Sequence, residues 1–316
     1  MQAGCNAGVR VRECMEEALL IFYLRSARRK AREAAVQEAL CLLGDLGPTA
    51  PAGGPLAEEG GLFWIALPAA HREEAQARLP RLGYTHAVDV LEAEEGGRDA
   101  ATGRMVRWRR RPYRLIPLYR EEEAAFRERA PDRRVFWLAA AEGVRAVRGY
   151  RGDSGPLSRR GLPVEDARLL VNLVARPGGT LLDPFAGAGG VVAEANGCRV
   201  LSCDLDPALR YGLAGLGARH CVADARSLPF QTASVDAIAT EPPFEGAAEA
   251  TVRAALGEMT RILAPGGRLA IYCAAHQAPG LREAGRALGL VPFLDQPINR
   301  KGTACVVLAW HKDSAP

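Results

Sequence analysis

The sequence predicts two folds in series: a ferredoxin-like α+β unit over residues 1–95, and a doubly wound, largely parallel α/β sheet over 146–316 whose last strand runs antiparallel. Three observations carry this. Beyond Leu162, short apolar runs alternate with amphipathic stretches, the pattern of parallel strands joined by crossover helices. The final two apolar runs are separated only by a turn at residues 299–302, too short for a crossover, so they pair antiparallel. The first ninety residues instead read β-α-(β)-β-α-β, with one strand unseen between 45 and 60.

Each element has a local reason. Residues 17–25 form a mostly apolar run that reads as a strand. Residues 27–43 place charged side chains on one side and Ala, Val and Leu on the other, a helix that Gly44 ends. Residues 49–61, rich in Gly, Pro and Ala, read as loop. A strand at 62–67, a helix at 70–82 closed by Gly83 and an alternating strand at 84–91 complete the first unit. Residues 92–103 turn acidic and Gly-rich, as a hinge or surface loop would. A charged helix near 121–129 and a strand at 135–138 follow. The second unit opens with a helix at 163–174, with Pro163 at its start and Glu165 and Asp166 in its first turn. Its strands are expected at 180–182, 199–203, 220–223, 235–240, 268–273, 290–294 and 304–310. Helices are expected near 190–195, 207–216, 247–263 and 280–288.

Composition excludes several classes. Apolar residues at 48% with 25% charged residues are those of an ordinary globular chain, not a disordered one. No apolar stretch approaches membrane-spanning length and no secretory leader is evident, so a cytoplasmic location is expected. Eight cysteines without a CxxC pair read as free thiols, and His86, His220, His276 and His311 lack ligand spacing, so no metal is expected. The net charge of +4 is unevenly spread. Residues 101–160 hold 16 basic and 7 acidic side chains, whereas 1–100 hold 11 and 15, and 161–316 hold 14 and 15. A basic strip between two near-neutral units is the electrostatic footprint of a polyanion binder.

Ligands of open α/β sheets bind at the carboxyl ends of the strands, and those ends are polar or glycine-rich here. The first runs into Asp183-Pro-Phe-Ala-Gly187-Ala-Gly189-Gly190. The second ends in Cys203-Asp204-Leu-Asp206, the third in Ala223-Asp224-Ala225, and the fourth in Thr240-Glu241-Pro242-Pro243-Phe244. Gly187 and Gly189 allow the backbone close to a ligand, while Asp204 and Asp224 are placed to accept from ribose hydroxyls and an adenine amine. The dinucleotide fingerprint GxGxxG fails because Val192 stands at its third glycine.

DPFAGAGG, CDLD, ADARSLPF, TEPPF and LAPGGRL resemble the motif series of class I S-adenosylmethionine methyltransferases. The phrase from Leu162 to Glu194 resembles more specifically the tRNA guanine N2-methyltransferases of the THUMP-associated type, which carry an RNA-binding region ahead of the catalytic domain. The resemblance implies a Rossmann-like methyltransferase fold and S-adenosylmethionine as cofactor. Its methionine part would be held by Asp183, Phe185 and the backbone of Gly187 and Gly189, its ribose by Asp204, and its adenine by Asp224 and the Ala225 N–H. The TEPPF segment then implies methylation of an exocyclic base amine. Glu241 and the Pro242 carbonyl would accept the amine hydrogens, and Phe244 would stack on the extruded base.

This chain departs from the family pattern at three positions. Glu241 replaces Asp or Asn, Phe244 replaces Tyr, and Glu245 stands in place of Gly. The N-terminal region is also too short for a complete THUMP module. RNA capture, with tRNA as the expected partner, would then fall to Arg107, Trp108, Arg109, Arg110, Arg111 and Arg114 in a basic docking segment at 96–145. Two further readings stay open: a DNA or protein-amide N-methyltransferase, and a catalytically silent, cofactor-binding RNA-binding homologue.

Overall fold

The computed structural model describes residues 19–26, 31–48, 62–99, 104–113, 135–140, 143–148, 162–195, 197–300 and 302–314. Two compact units are present, 1–120 and 121–316.

The first unit comprises β1 (Leu19–Ser26), α1 (Arg32–Leu42), β2 (Leu62–Pro68), α2 (Arg72–Arg78), β3 (Thr85–Asp99) and β4 (Arg104–Tyr113). Its sheet is antiparallel throughout, in the order β2-β1-β3-β4. Helix α1 buries Ala34, Ala35 and Ala39 on one face. The buried carboxylate of Glu38 on the same helix accepts the Gly83 and Tyr84 backbone N–H groups at 2.7 and 2.8 Å. These two charge-assisted bonds fix the entry into β3.

Two expectations change here. Residues 92–99 are not a hinge, because β3 continues to Asp99 and the basic segment pairs with it as β4. The ladder sets Glu92 opposite Arg109 and Glu94 opposite Arg107. Acidic, glycine-bearing composition signals exposure, whereas a strand needs only a neighbouring backbone to bond. The strand expected at 45–60 is in part a single 3-10 turn at Gly44–Leu46, and residues 49–61 lie outside those described. The unit as described is therefore a four-stranded antiparallel sheet with two helices. The helix expected near 121–129 also lies outside the described residues.

The second unit begins with a hairpin, β5 (Val135–Ala140) and β6 (Gly143–Arg148). There follow α3 (Val164–Val174), β7 (Thr180–Asp183), α4 (Gly190–Glu194), β8 (Arg199–Asp204), α5 (Arg210–Gly215), β9 (Arg219–Val222) and β10 (Val235–Thr240). The chain ends with α6 (Glu249–Ile262), β11 (Leu263–Ala274), α7 (Ala278–Ala287), β12 (Leu290–Arg300) and β13 (Thr303–Lys312). Seven strands form one sheet in the order β12-β13-β11-β10-β7-β8-β9. Strands β7 to β11 run parallel to one another, whereas β13 pairs antiparallel with both β11 and β12, the final pair as expected.

Packing follows from periodicity. On α6, Val252, Ala255, Leu256, Met259 and Ile262 recur at helical spacing and are fully buried, in one core cluster with Ile238, Leu269 and Ile271 of the sheet. Strand β10 is an almost continuous buried run, as a central parallel strand covered on both faces must be. The chain leaves β7 for β8 and β9 on one side, then returns to β10 on the other. The carboxyl ends of β7 and β10 therefore flank the switch-point crevice.

Among the described residues no helix is long and apolar enough to cross a membrane, and no group of three or more His, Cys, Asp or Glu side chains could hold a metal ion.

Candidate active site

Strand β7 delivers Asp183 to the crevice at 2% exposure. Its Oδ1 accepts the Thr240 hydroxyl at 2.7 Å and the Phe185 N–H at 3.2 Å. Burial pushes this carboxyl up to about 7; the two hydrogen bonds oppose the rise, and the nearby charges of Asp204 and Glu241 add to it. Phe185 lies half-buried against the main core. Gly187 and Gly189 then take left-handed φ values of +47° and +76°, which turn the loop into α4. At Gly189 a Cβ would stand 2.5 Å from Leu216 Cδ1 and 3.2 Å from Leu213 Cδ2, so any side chain there requires these leucines to shift.

Strands β8 and β9 add two more carboxylates. Asp204 Oδ2 accepts the Gly187 N–H at 2.8 Å, joining the second strand end to the glycine loop, and Oδ1 accepts the Asp206 N–H at 3.0 Å. Leu205, beside it, is 65% exposed. Asp224 is forked by the Arg226 guanidinium, whose Nη2 lies 2.6 Å from Oδ2, and this holds the carboxyl below its ordinary range. Ala225 is buried directly after it.

Strand β10 ends in the tetrapeptide. Glu241 is partly buried and ion-paired with Arg300, at the end of β12. Burial pushes its carboxyl up to about 6; Arg300 opposes that rise and Asp166 adds to it. Pro242 is buried, and the Pro243 carbonyl accepts Gln277 Nε2 at 2.8 Å. Gln277 is itself fixed, because its Oε1 accepts the Ala274 N–H at 3.1 Å. Phe244 stacks on Tyr272 of β11, with centroids 6.5 Å apart and planes 10° from parallel. The Arg300 guanidinium lies 5.8 Å from the centroid of the same Tyr272 ring.

The residues singled out in the second unit thus sit on consecutive strand ends, with Asp183 and Asp204 bonded into the glycine loop and Asp183 bonded to Thr240. Of the expected RNA-binding residues, Arg107, Trp108, Arg109, Arg110 and Arg111 lie on β4 of the first unit, and Arg114 lies outside the described residues. Sequence reasoning missed Arg300, Tyr272 and Gln277. Only the turn beside Arg300 carried a local signal. A cavity of about 300 Å³, lined by Arg176, Gly179, Asp236, Gly267 and Arg268 among others, opens at the opposite, amino-terminal end of the strands.

Residues 182–271 match the family described as "Methyltransferase domain". A search of curated proteins returned no match. Among solved structures, TrmN from Thermus thermophilus is 23% identical over 92% of this chain and 99% of its own, with a TM-score of 0.47. Geranyl diphosphate C-methyltransferase from Streptomyces coelicolor is 18% identical over 46% of this chain and 76% of its own, at 0.39. A TehB-like methyltransferase from Corynebacterium glutamicum is 23% identical over 47% and 87%, also at 0.39. The match to a methyltransferase domain spans the strand ends that carry Asp183, Asp204, Asp224 and Glu241, and S-adenosylmethionine is the cofactor.

Proposed function

We propose that the protein methylates an exocyclic base amine of RNA, with guanine in tRNA as the substrate. The observation that carries the reading is the Glu241-Pro242-Pro243-Phe244 segment at the carboxyl end of β10, across the switch point from the glycine loop.

The residues present fit the cofactor. The left-handed turn at Gly187 lets the backbone come close, and Asp204 and Asp224 offer half-exposed carboxylates on successive strand ends to the ribose and adenine. Asp183 commits Oδ1 to the protein, and among the described residues nothing donates to Oδ2, which suits the ammonium of the methionine part. Bound S-adenosylmethionine supplies a sulfonium methyl group as the electrophile.

The chain's own part is positioning. A base amine is a weak nucleophile because its lone pair is delocalised into the ring. Acceptors on its hydrogens, Glu241 and the Pro242 carbonyl, draw that lone pair back to nitrogen. Two consecutive prolines restrict φ and remove backbone N–H groups that would compete for the carbonyl. Phe244, braced by Tyr272, offers a flat face for an extruded base. The alkylated nitrogen must shed one proton, and a carboxylate with a pKa near 6 is ionised at neutral pH and able to take it.

Support for RNA comes from the basic strip, 16 arginines against 7 acids over 101–160, and from the resemblance of residues 162–194 to tRNA guanine methyltransferases. The test is the partition of labelled methyl groups among tRNA, DNA and protein fractions. The reading predicts label in tRNA. Label confined to DNA or protein, or none at all, would replace it with one of the alternative readings.

A further inference from the structure

We propose that Arg300 is the positioning residue for Glu241: its guanidinium aims the longer carboxylate of this chain so that one oxygen is held and the other faces the substrate amine. The inference rests on the methyl-transfer reading above and adds to it a residue outside the tetrapeptide.

A glutamate carries one more rotatable bond than aspartate, so its carboxylate sweeps a larger volume. Proximity catalysis does not tolerate this, since a misplacement of about 1 Å costs on the order of 100-fold in rate. Here the swing is removed from outside. Arg300 stands at the end of β12, opposite Thr303 in the hairpin register, with β13 and β11 between it and β10. The hairpin turn is fixed because Asn299 Oδ1 accepts the Gly302 N–H at 2.9 Å and Gly302 takes φ +92°. From there Arg300 reaches over the Tyr272 ring at 5.8 Å, and Nη1 donates to Glu241 Oε1. Among the described residues nothing donates to Oε2, so a second donor can be received there. Tyr272 serves both ends of the tetrapeptide, carrying Arg300 near its ring and Phe244 stacked on it. A partly buried arginine–carboxylate contact holds orientation as well as charge.

Other groups bear on Glu241. Asp166 of α3 raises its pKa; Asp183 of β7 and Cys305 of β13 are themselves raised in part by the Glu241 charge. Arg300 is the cation that opposes this set. Replacing it therefore leaves Glu241 mispositioned and protonated at higher pH.

The experiment compares wild type, Arg300→Gln and Arg300→Lys in methyl transfer to tRNA across pH 5–9, alongside calorimetric affinity for S-adenosylhomocysteine. The expected result is a kcat lowered on the order of 10- to 100-fold in Arg300→Gln, with S-adenosylhomocysteine affinity unchanged. The acid limb of its rate profile should move upward by about 1 pH unit, and Arg300→Lys should move it part of the way back. An Arg300→Gln variant with wild-type kcat and an unmoved acid limb overturns the proposal while leaving the methyl-transfer reading intact. A reduced kcat with an unmoved limb also overturns it, because it marks a merely structural side chain. A wild-type enzyme that labels no RNA overturns the methyl-transfer reading, and this proposal with it.

Discussion

Thr240 donates its hydroxyl to Asp183 Oδ1 over 2.7 Å, and this bond ties the carboxyl end of β10 to that of β7 across the switch point. Both side chains are buried, at 0% and 2% exposure. The bond therefore sits between the loop that would carry the cofactor and the tetrapeptide that would carry the substrate. Thr240→Val keeps the shape and removes the donor. It should cost about 1–3 kcal/mol of stability, the range for leaving a buried acceptor short of a partner. Cofactor affinity should also fall at neutral pH, because Asp183 loses a bond that favours its charged form. Denaturant titration and calorimetry measure the two effects.

Asp183 sets a pH dependence of its own. Its carboxyl is pushed up to about 7 in the folded chain, above an ordinary value of 3.8. The folded state then binds more protons than the unfolded state between these values, so the ligand-free protein loses stability as pH rises from about 4 to 7. Asp183→Asn removes the buried charge. The variant should be more stable than wild type at pH 8 and gain less at pH 5, while binding S-adenosylmethionine much more weakly. Wild-type affinity should rise with pH through about 7, as Asp183 ionises to meet an ammonium group. Equal gains at both pH values would show that the carboxyl is not held protonated.

The glycine loop allows a paired comparison. Gly189 and Gly197 both take φ +76°, but a Cβ at Gly189 would meet Leu216 Cδ1 at 2.5 Å and Leu213 Cδ2 at 3.2 Å, whereas at Gly197 it meets open space. Gly197→Ala bears only the conformational cost, about 1 kcal/mol. Gly189→Ala adds overpacking of typically 1–3 kcal/mol. It should also weaken cofactor binding, which Gly197→Ala should not. Thermal denaturation and calorimetry on the two variants separate the conformational effect from the packing effect.

The second unit was largely legible because its signals are local. Apolar runs such as 235–240 mark buried strands, and the polar strand ends Asp183, Asp204 and Asp224 follow them directly. The antiparallel last pair followed from the length of its turn alone. What escaped depends on long-range pairing. Arg300 and Glu241 lie 59 positions apart and meet only because β12 and β13 fold back beside β11. Gln277 gives no signal of its role as the clamp on the Pro243 carbonyl, since neither residue has a periodic or motif context linking it to the other. In the first unit, residues 92–99 look like a hinge by composition, yet β4 supplies a backbone partner and makes them strand. Strand β11 likewise begins at Leu263, five residues earlier than the apolar run suggests, because pairing with β10 already starts at Val235.

Glu241 is proposed to serve methyl transfer to a guanine amine. The most direct test of this role is mass spectrometry of nucleosides digested from tRNA after incubation with S-adenosylmethionine and either wild type or Glu241→Gln. The expected result is N2-methylguanosine with the wild-type protein, and its loss by a factor on the order of 100 or more in Glu241→Gln at unchanged cofactor affinity. No methylated guanosine from the wild-type protein, or equal amounts from the two, would contradict it.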